Sequence, residues 1–88
     1  MKGIKEISDI LSRISDPQLI EDFFVCILTK RELDEVAGRW ELVKLLDQGI
    51  TQRKIAQKLG MSLCKITRGS KELKKKNSAL KRVIDEYL

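Results

Sequence analysis

Isoleucine and leucine return every three or four residues along most of this chain, the spacing of one face of an α-helix rather than the strict alternation of a strand. Ile4, Ile7, Leu11 and Ile14 form the first such stripe, widened by Ile10. Asp16-Pro17 interrupts it, since proline breaks a helix from within but starts one well, so the first helix is expected to end near Ser15 and a second to begin there. Leu19, Ile20, Phe23, Phe24, Ile27 and Leu28 give that second helix a broad apolar face. Thr29 with Glu32 three residues on is a capping-box signature. It predicts a third helix from Lys30 to about Asp47, with Leu33, Val36, Ala37, Trp40, Val43 and Leu46 as its apolar stripe and Gly49 ending it.

Small residues stand at the tight places of the next segment, Gln52 to Leu73. Counting Gln52 as the first position, Ala56 is fifth, Gly60 ninth and Ile66 fifteenth, with Ile55 and Leu59 between them on the apolar side. Two helices crossing at roughly 90 to 120° need a small residue at closest approach, a turn residue that tolerates positive φ, and an aliphatic anchor from the second helix. The spacing therefore predicts a helix-turn-helix. Thr51 and Ser62 are placed as N-caps, and the second, recognition helix is expected over Leu63 to about Ser70. Asn77 or Ser78 caps a last helix with Leu80, Val83, Ile84, Tyr87 and Leu88 on one side. The expected architecture is all-α, with six short helices. Residues 1–47 form a dimerisation core, 51–70 the helix-turn-helix and 77–88 a C-terminal packing helix. The apolar faces are wider than a compact 88-residue monomer readily hides, so an intertwined homodimer with interlocked N-terminal helices is expected over a monomer with its stripes folded inward.

Charge changes the picture most in the C-terminal half. The net charge of +5 is the sum of two unlike parts: residues 1–50 carry seven basic and ten acidic residues, whereas 51–82 carry eleven lysines and arginines against the one acid Glu72. A charge run alone can be a solvated face, but a basic run over a helix-turn-helix points to phosphate contact and DNA. A protein-interaction module docking an acidic partner is the alternative from another class. Catalysis has little to work with, because the chain has no histidine and no phosphate-cradling glycine loop. Cys26 and Cys64 have no metal-like spacing, so neither a zinc site nor a structural disulfide is expected. Lys2 and Lys5 lead into an amphipathic segment rather than a signal peptide, and the longest apolar run, Phe23 to Leu28, is too short to span a bilayer. A cytoplasmic non-enzyme without membrane contact is the expectation.

At Ile66-Thr67-Arg68-Gly69-Ser70, followed by Leu73-Lys74, the chain resembles the bacterial tryptophan repressor family. Leu28-Thr29 with its acidic helix start, Arg39 and Gln52-Arg53 extend the likeness, which covers roughly Leu19 to Leu88 with the first helix loosely matched. The resemblance implies a repressor with no cofactor but with L-tryptophan as corepressor, bound to a palindromic operator of double-stranded DNA that controls tryptophan biosynthesis or uptake genes. Arg39 and Arg68 would stack on the two faces of the indole, a surface on which guanidinium planes lie well. Arg68 would also grip the carboxylate with its planar donor fork. Backbone carbonyls near Cys26 and Leu28, at the end of the partner's second helix, would take the ammonium group. Thr29 and Gly69 would line the cavity.

Glu72 stands where the family commonly has a small hydroxyl residue near that ammonium group, so the contact becomes an ion pair or is lost. The connection Asp47-Gln48-Gly49-Ile50 is one residue shorter than the family's, and Trp40 replaces a smaller aliphatic. Shared with a ligand-independent group of helix-turn-helix proteins, the short connection keeps a constitutive DNA-binding regulator of the same fold as the alternative. On DNA, Gln52, Arg53 and Ala56 from the first helix of the motif and Leu63, Cys64, Lys65, Thr67, Lys71 and Lys74 from the second are the expected contacts. Arg53, Lys65, Lys71 and Lys74 would hold phosphates, while Leu63, Cys64 and Thr67 approach base edges directly or through water.

Overall fold

The computed structural model describes residues 1–88 and contains six helices and no strand: α1 Lys2–Ser12, α2 Pro17–Ile27, α3 Lys30–Asp47, α4 Gln52–Leu59, α5 Leu63–Lys74 and α6 Ala79–Tyr87. No helix is long and apolar enough to cross a membrane. The chain divides into two compact units, Met1–Asp34 and Glu35–Leu88, so the later turns of α3 belong with the helix-turn-helix and α6.

In the first unit, α1 ends at Ser12, three residues earlier than expected. Ser12 Oγ donates to the Asp9 carbonyl at 2.6 Å, and the N–H groups of Arg13 and Ile14 reach back three residues to Ile10 and Leu11, which tightens and closes the last turn. Asp16 is extended, as the residue before a proline must be, and its carboxylate accepts from the Gln18 N–H at 3.0 Å to cap α2. The box at the start of α3 is reciprocal: Thr29 N–H donates to Glu32 Oε1 at 2.8 Å and Glu32 N–H to Thr29 Oγ1 at 3.2 Å. That hydrogen bonding to its ionised form holds the Glu32 carboxyl below the usual carboxylate range. Phe23 and Phe24 meet edge to face with centroids 5.8 Å apart. No side chain of α1 or α2 is fully buried, and Ile4, Ile10, Leu19, Phe24, Val25 and Ile27 lie open on the single chain.

In the second unit the core gathers Leu42 and Leu45 of α3, Ile55 of α4 and Ile66 of α5, with Leu46, Ile50, Ala56, Leu59 and Met61 packed against them. Ile55 and Ile66 are wholly enclosed, and each such side chain contributes about 1.5–3 kcal/mol of burial. This corrects the stripe expected for α3. Val43 is buried, but Leu42 and Leu45 carry the core while Val36 is 54% exposed. An 18-residue helix with leucines on two sides offers two stripes, and α4 and α5 cover the one through Leu42, Leu45 and Leu46.

The chain leaves α3 through a left-handed glycine, Gly49 at φ 84°; its N–H bonds to the Leu46 carbonyl at 3.0 Å and the Ile50 N–H to Leu45 at 3.2 Å. Ile50 is thereby seated on the core. The last helix is capped by Ser78, whose hydroxyl accepts from the Lys81 N–H, and Asn77 before it takes positive φ at 59°. Ile84 fixes α6 by burial, and Lys81 fastens it to the end of α3 through Asp47 Oδ1 at 2.7 Å.

Candidate nucleic-acid interface

α4 and α5 pack against each other around Ile55 and Ile66, joined by a turn in which Gly60 adopts the left-handed conformation at φ 64°, ψ 31°. Glycine meets no steric penalty there, so the first helix stops within a single residue. Both helix starts are capped as the sequence predicts: Thr51 Oγ1 accepts from the Lys54 N–H and Ser62 Oγ from the Lys65 N–H, each at 3.3 Å. α5 runs four residues past the expected Ser70 to Lys74. Ser70 is buried and Leu73 half-buried, so the apolar face begun at Ile66 continues through another turn and keeps the helix wound.

The structure sorts the expected DNA contacts. Arg53, Leu63, Cys64, Lys65, Thr67, Lys71 and Lys74 stand exposed on α4 and α5. Ala56 instead packs against the core, so its small size sets the approach of the two helices. Gln52 is half-buried, and its side-chain carbonyl accepts from the Thr67 hydroxyl at 3.2 Å, tying the head of α4 to the middle of α5. Fifteen residues separate that pair, and nothing in the local pattern announces it.

Ion pairing divides the eleven cations of residues 51–82. Lys75 pairs with Glu72 at 2.8 Å, Lys81 with Asp47 and with Asp85, and Arg82 with Glu86. Arg53, Lys54, Lys58, Lys65, Arg68, Lys71, Lys74 and Lys76 are in no ion pair, and seven of these eight lie on α4 and α5 themselves. The basic half is therefore not one uniform surface. The four-residue spacings of Lys81 with Asp85 and Arg82 with Glu86 were the available sign that α6 neutralises its own charge. Lys54, Lys58 and Lys76, absent from the expected contacts, are free cations as well.

The residues expected at the ligand fall in both units. In the first, Thr29 spends its hydroxyl and N–H on the α3 cap, the exposed Cys26 has a free thiol, and the half-buried Leu28 donates its N–H to the Phe24 carbonyl at 3.0 Å. In the second, Arg39 and Arg68 are exposed and unpaired by any acid. Gly69 faces the core rather than open space: a Cβ there would meet Leu42 Cδ2 at 3.0 Å and Leu46 Cδ1 at 3.6 Å. Gly38, next to Arg39, lies under the Met61 tip, where a Cβ would meet Cε at 2.8 Å. Glu72 is ionised and held below the usual carboxylate range, first by its hydrogen bond from Lys75 and with a smaller contribution from Arg68 one turn earlier.

Two capped helices locked by fully buried isoleucines, with unneutralised cations spread over their outer surface, define a helix-turn-helix DNA-binding regulator. A family model described as Trp repressor protein matches residues 2–88, thereby including the first helix that the sequence resemblance matched only loosely. Among similar proteins, a Trp operon repressor homolog of Chlamydia caviae is 42% identical over 73 residues, covering 82% of this chain and 72% of its own. One of Chlamydia trachomatis serovar L2 is 33% identical over 80 residues, 90% of this chain and 85% of its own. Another of Xylella fastidiosa strain M23 is 42% identical over 53 residues, 59% of this chain and 58% of its own. No solved structure matches at a significant level. The chain belongs to the Trp repressor family, a family of transcription regulators.

Proposed function

We propose that this protein is a homodimeric transcriptional repressor that takes L-tryptophan as corepressor and binds a near-palindromic operator controlling genes of tryptophan synthesis or uptake. The observation that carries the reading is Arg68. It lies within a recognition helix of a family member, yet is exposed and outside any ion pair, so its guanidinium plane is free to stack on an aromatic ring and its donor fork to meet a carboxylate. Arg39 is free in the same sense. The open apolar side chains of α1 and α2 support the dimer, because a surface of that kind on a single chain is the usual mark of a subunit interface. Two-fold symmetry would set the recognition helices about 34 to 36 Å apart, one turn of duplex, and the ligand would favour the orientation in which both enter successive major grooves.

One observation favours a second reading, a DNA-binding regulator of the same fold that needs no ligand. Glu72, near the place expected for the ligand's ammonium group, is already satisfied by Lys75. Calorimetric titration of L-tryptophan separates the two. Saturable uptake of one ligand per chain, abolished by Arg68→Ala with helical content and oligomeric state preserved, is the expected result. No uptake at millimolar ligand would instead put the ligand-independent regulator in first place.

A further inference from the structure

Glu72 is the single acid between Thr51 and Arg82, and it sits in a setting that makes its partner exchangeable. Its carboxylate is about half exposed and takes the Lys75 ammonium at 2.8 Å. Lys75 is the residue that closes α5: its own N–H reaches back to the Glu72 carbonyl at 3.4 Å, so backbone and side chain hold it over the same acid. One helical turn before Glu72 stands Arg68, with no acid of its own. Residues four apart on a helix share a face, with Cβ atoms roughly 5–6 Å apart. Arg68 and Glu72 therefore present a cation and an anion side by side, the complement of a free amino acid, which carries its carboxylate and ammonium on one carbon.

We propose that Lys75 is a built-in competitor for the corepressor's ammonium group, occupying Glu72 until an amino acid displaces it. The proposal deepens the corepressor reading and rests on it. Two consequences follow from the charges. A ligand that keeps the indole and the carboxylate but lacks the ammonium group leaves Glu72 with Lys75 and brings a second anion close to it, so this site selects the zwitterion over the plain acid. Displacement also frees the Lys75 charge beside Lys74 and Lys76, neither of which is paired, and so adds a cation to the end of the recognition helix at the moment the ligand binds.

The test is calorimetry with L-tryptophan and with indole-3-propionate, its analogue without the ammonium group, on the full chain and on Lys75→Gln and Glu72→Gln. Far-UV circular dichroism checks that each variant is folded. An exposed pair of this kind is weak, so removing the competitor is expected to tighten tryptophan binding by roughly two- to fivefold. Glu72→Gln is expected to weaken tryptophan and to narrow its preference over indole-3-propionate. Lys75→Gln that leaves tryptophan affinity unchanged or lowers it overturns the proposal while leaving the corepressor reading intact. So does a wild-type chain that binds the two compounds equally. Uptake of neither compound by any variant overturns both readings.

Discussion

Three glycines lie in helices, Gly3 in the first turn of α1, Gly38 within α3 and Gly69 within α5, and replacing each by alanine favours the helix locally in different surroundings. Relieving a helix of glycine is worth up to about 1 kcal/mol, because alanine has less backbone freedom to lose. At Gly3 nothing lies within 4 Å of the new Cβ, so the gain that a first-turn position allows is expected with no steric cost. Gly38 would place the methyl 2.8 Å from Met61 Cε, the free end of an unbranched side chain that can swing aside, and the net change is expected near zero. Gly69 is different. Its Cβ would stand 3.0 Å from Leu42 Cδ2 and 3.4 Å from Cγ, and Leu42 is a core residue only 2% exposed. Comfortable carbon contacts lie at about 3.5–4.0 Å, so α3 and α5 must part by several tenths of an ångström, and overpacking of that kind costs about 1–3 kcal/mol. The net expectation for Gly69→Ala is a loss of about 1 kcal/mol, which in a domain of this size lowers Tm by roughly 4–8 °C. Thermal and urea denaturation of the three variants followed by circular dichroism, without ligand, gives the order Gly3→Ala most stable, Gly38→Ala next, Gly69→Ala least. A Gly69→Ala protein as stable as Gly3→Ala would refute the claim that this glycine sets the distance between the core helix and the recognition helix.

Titration of affinity for double-stranded DNA against salt should separate the two groups of cations: Lys74→Gln lowers the slope of log K on log salt by about 0.9 per removed phosphate contact, whereas Arg82→Gln, whose charge is already met by Glu86, leaves it unchanged. Equal slopes for both variants would show that ion pairing within the chain does not decide which cations meet DNA. The ammonium of Lys81 is raised above its ordinary value of 10.5, chiefly by its hydrogen bond to Asp47 and then by that to Asp85. A raised folded value means the contribution is fully present below the ordinary value and is lost as pH rises through the folded one, so the stability advantage of wild type over Lys81→Met should hold at neutral pH and shrink above about pH 10.5. An advantage that stays constant through that alkaline range would rule the pair out as its source.

Elements with a chemical start and stop were legible in the sequence. α3 runs from Lys30 to Asp47 as expected, because Thr29 and Glu32 cap it reciprocally and Gly49 takes the left-handed conformation that ends it. Thr51, Gly60 and Ser62 delimit the two helices of the reading head for the same reason. Ends decided by packing were not legible: α5 continues past Gly69 and Ser70 because Ser70 and Leu73 face the core, and no local signal in a glycine-serine pair says so. The working stripe of α3 was not legible on similar grounds, since periodicity finds both apolar sides of a long helix and only tertiary packing chooses the one through Leu42 and Leu45. At the interface, the types and spacing of the exposed residues could be read directly, but the Gln52–Thr67 link and the Asp47–Lys81 pair join residues 15 and 34 positions apart.

The long-range pair at Lys81 bears on how a small basic protein keeps its charge where it is useful. Phosphate attraction acts on any exposed cation and carries no sequence information, so positive charge away from the reading head strengthens binding to all DNA alike. In this chain Lys81 and Arg82 are answered by Asp47, Asp85 and Glu86, and they serve to fasten α6 and to lace its surface. Among the cations of residues 51–82, all but one of those in no ion pair lie on α4 and α5, beside the exposed Leu63, Cys64 and Thr67. The exception, Lys76, follows directly on the recognition helix and its cap. On the proposed reading, positional electrostatics of this kind would tie the sequence-independent attraction to the surface of α4 and α5, so that the orientation satisfying the phosphates best would also present the recognition helix to the groove.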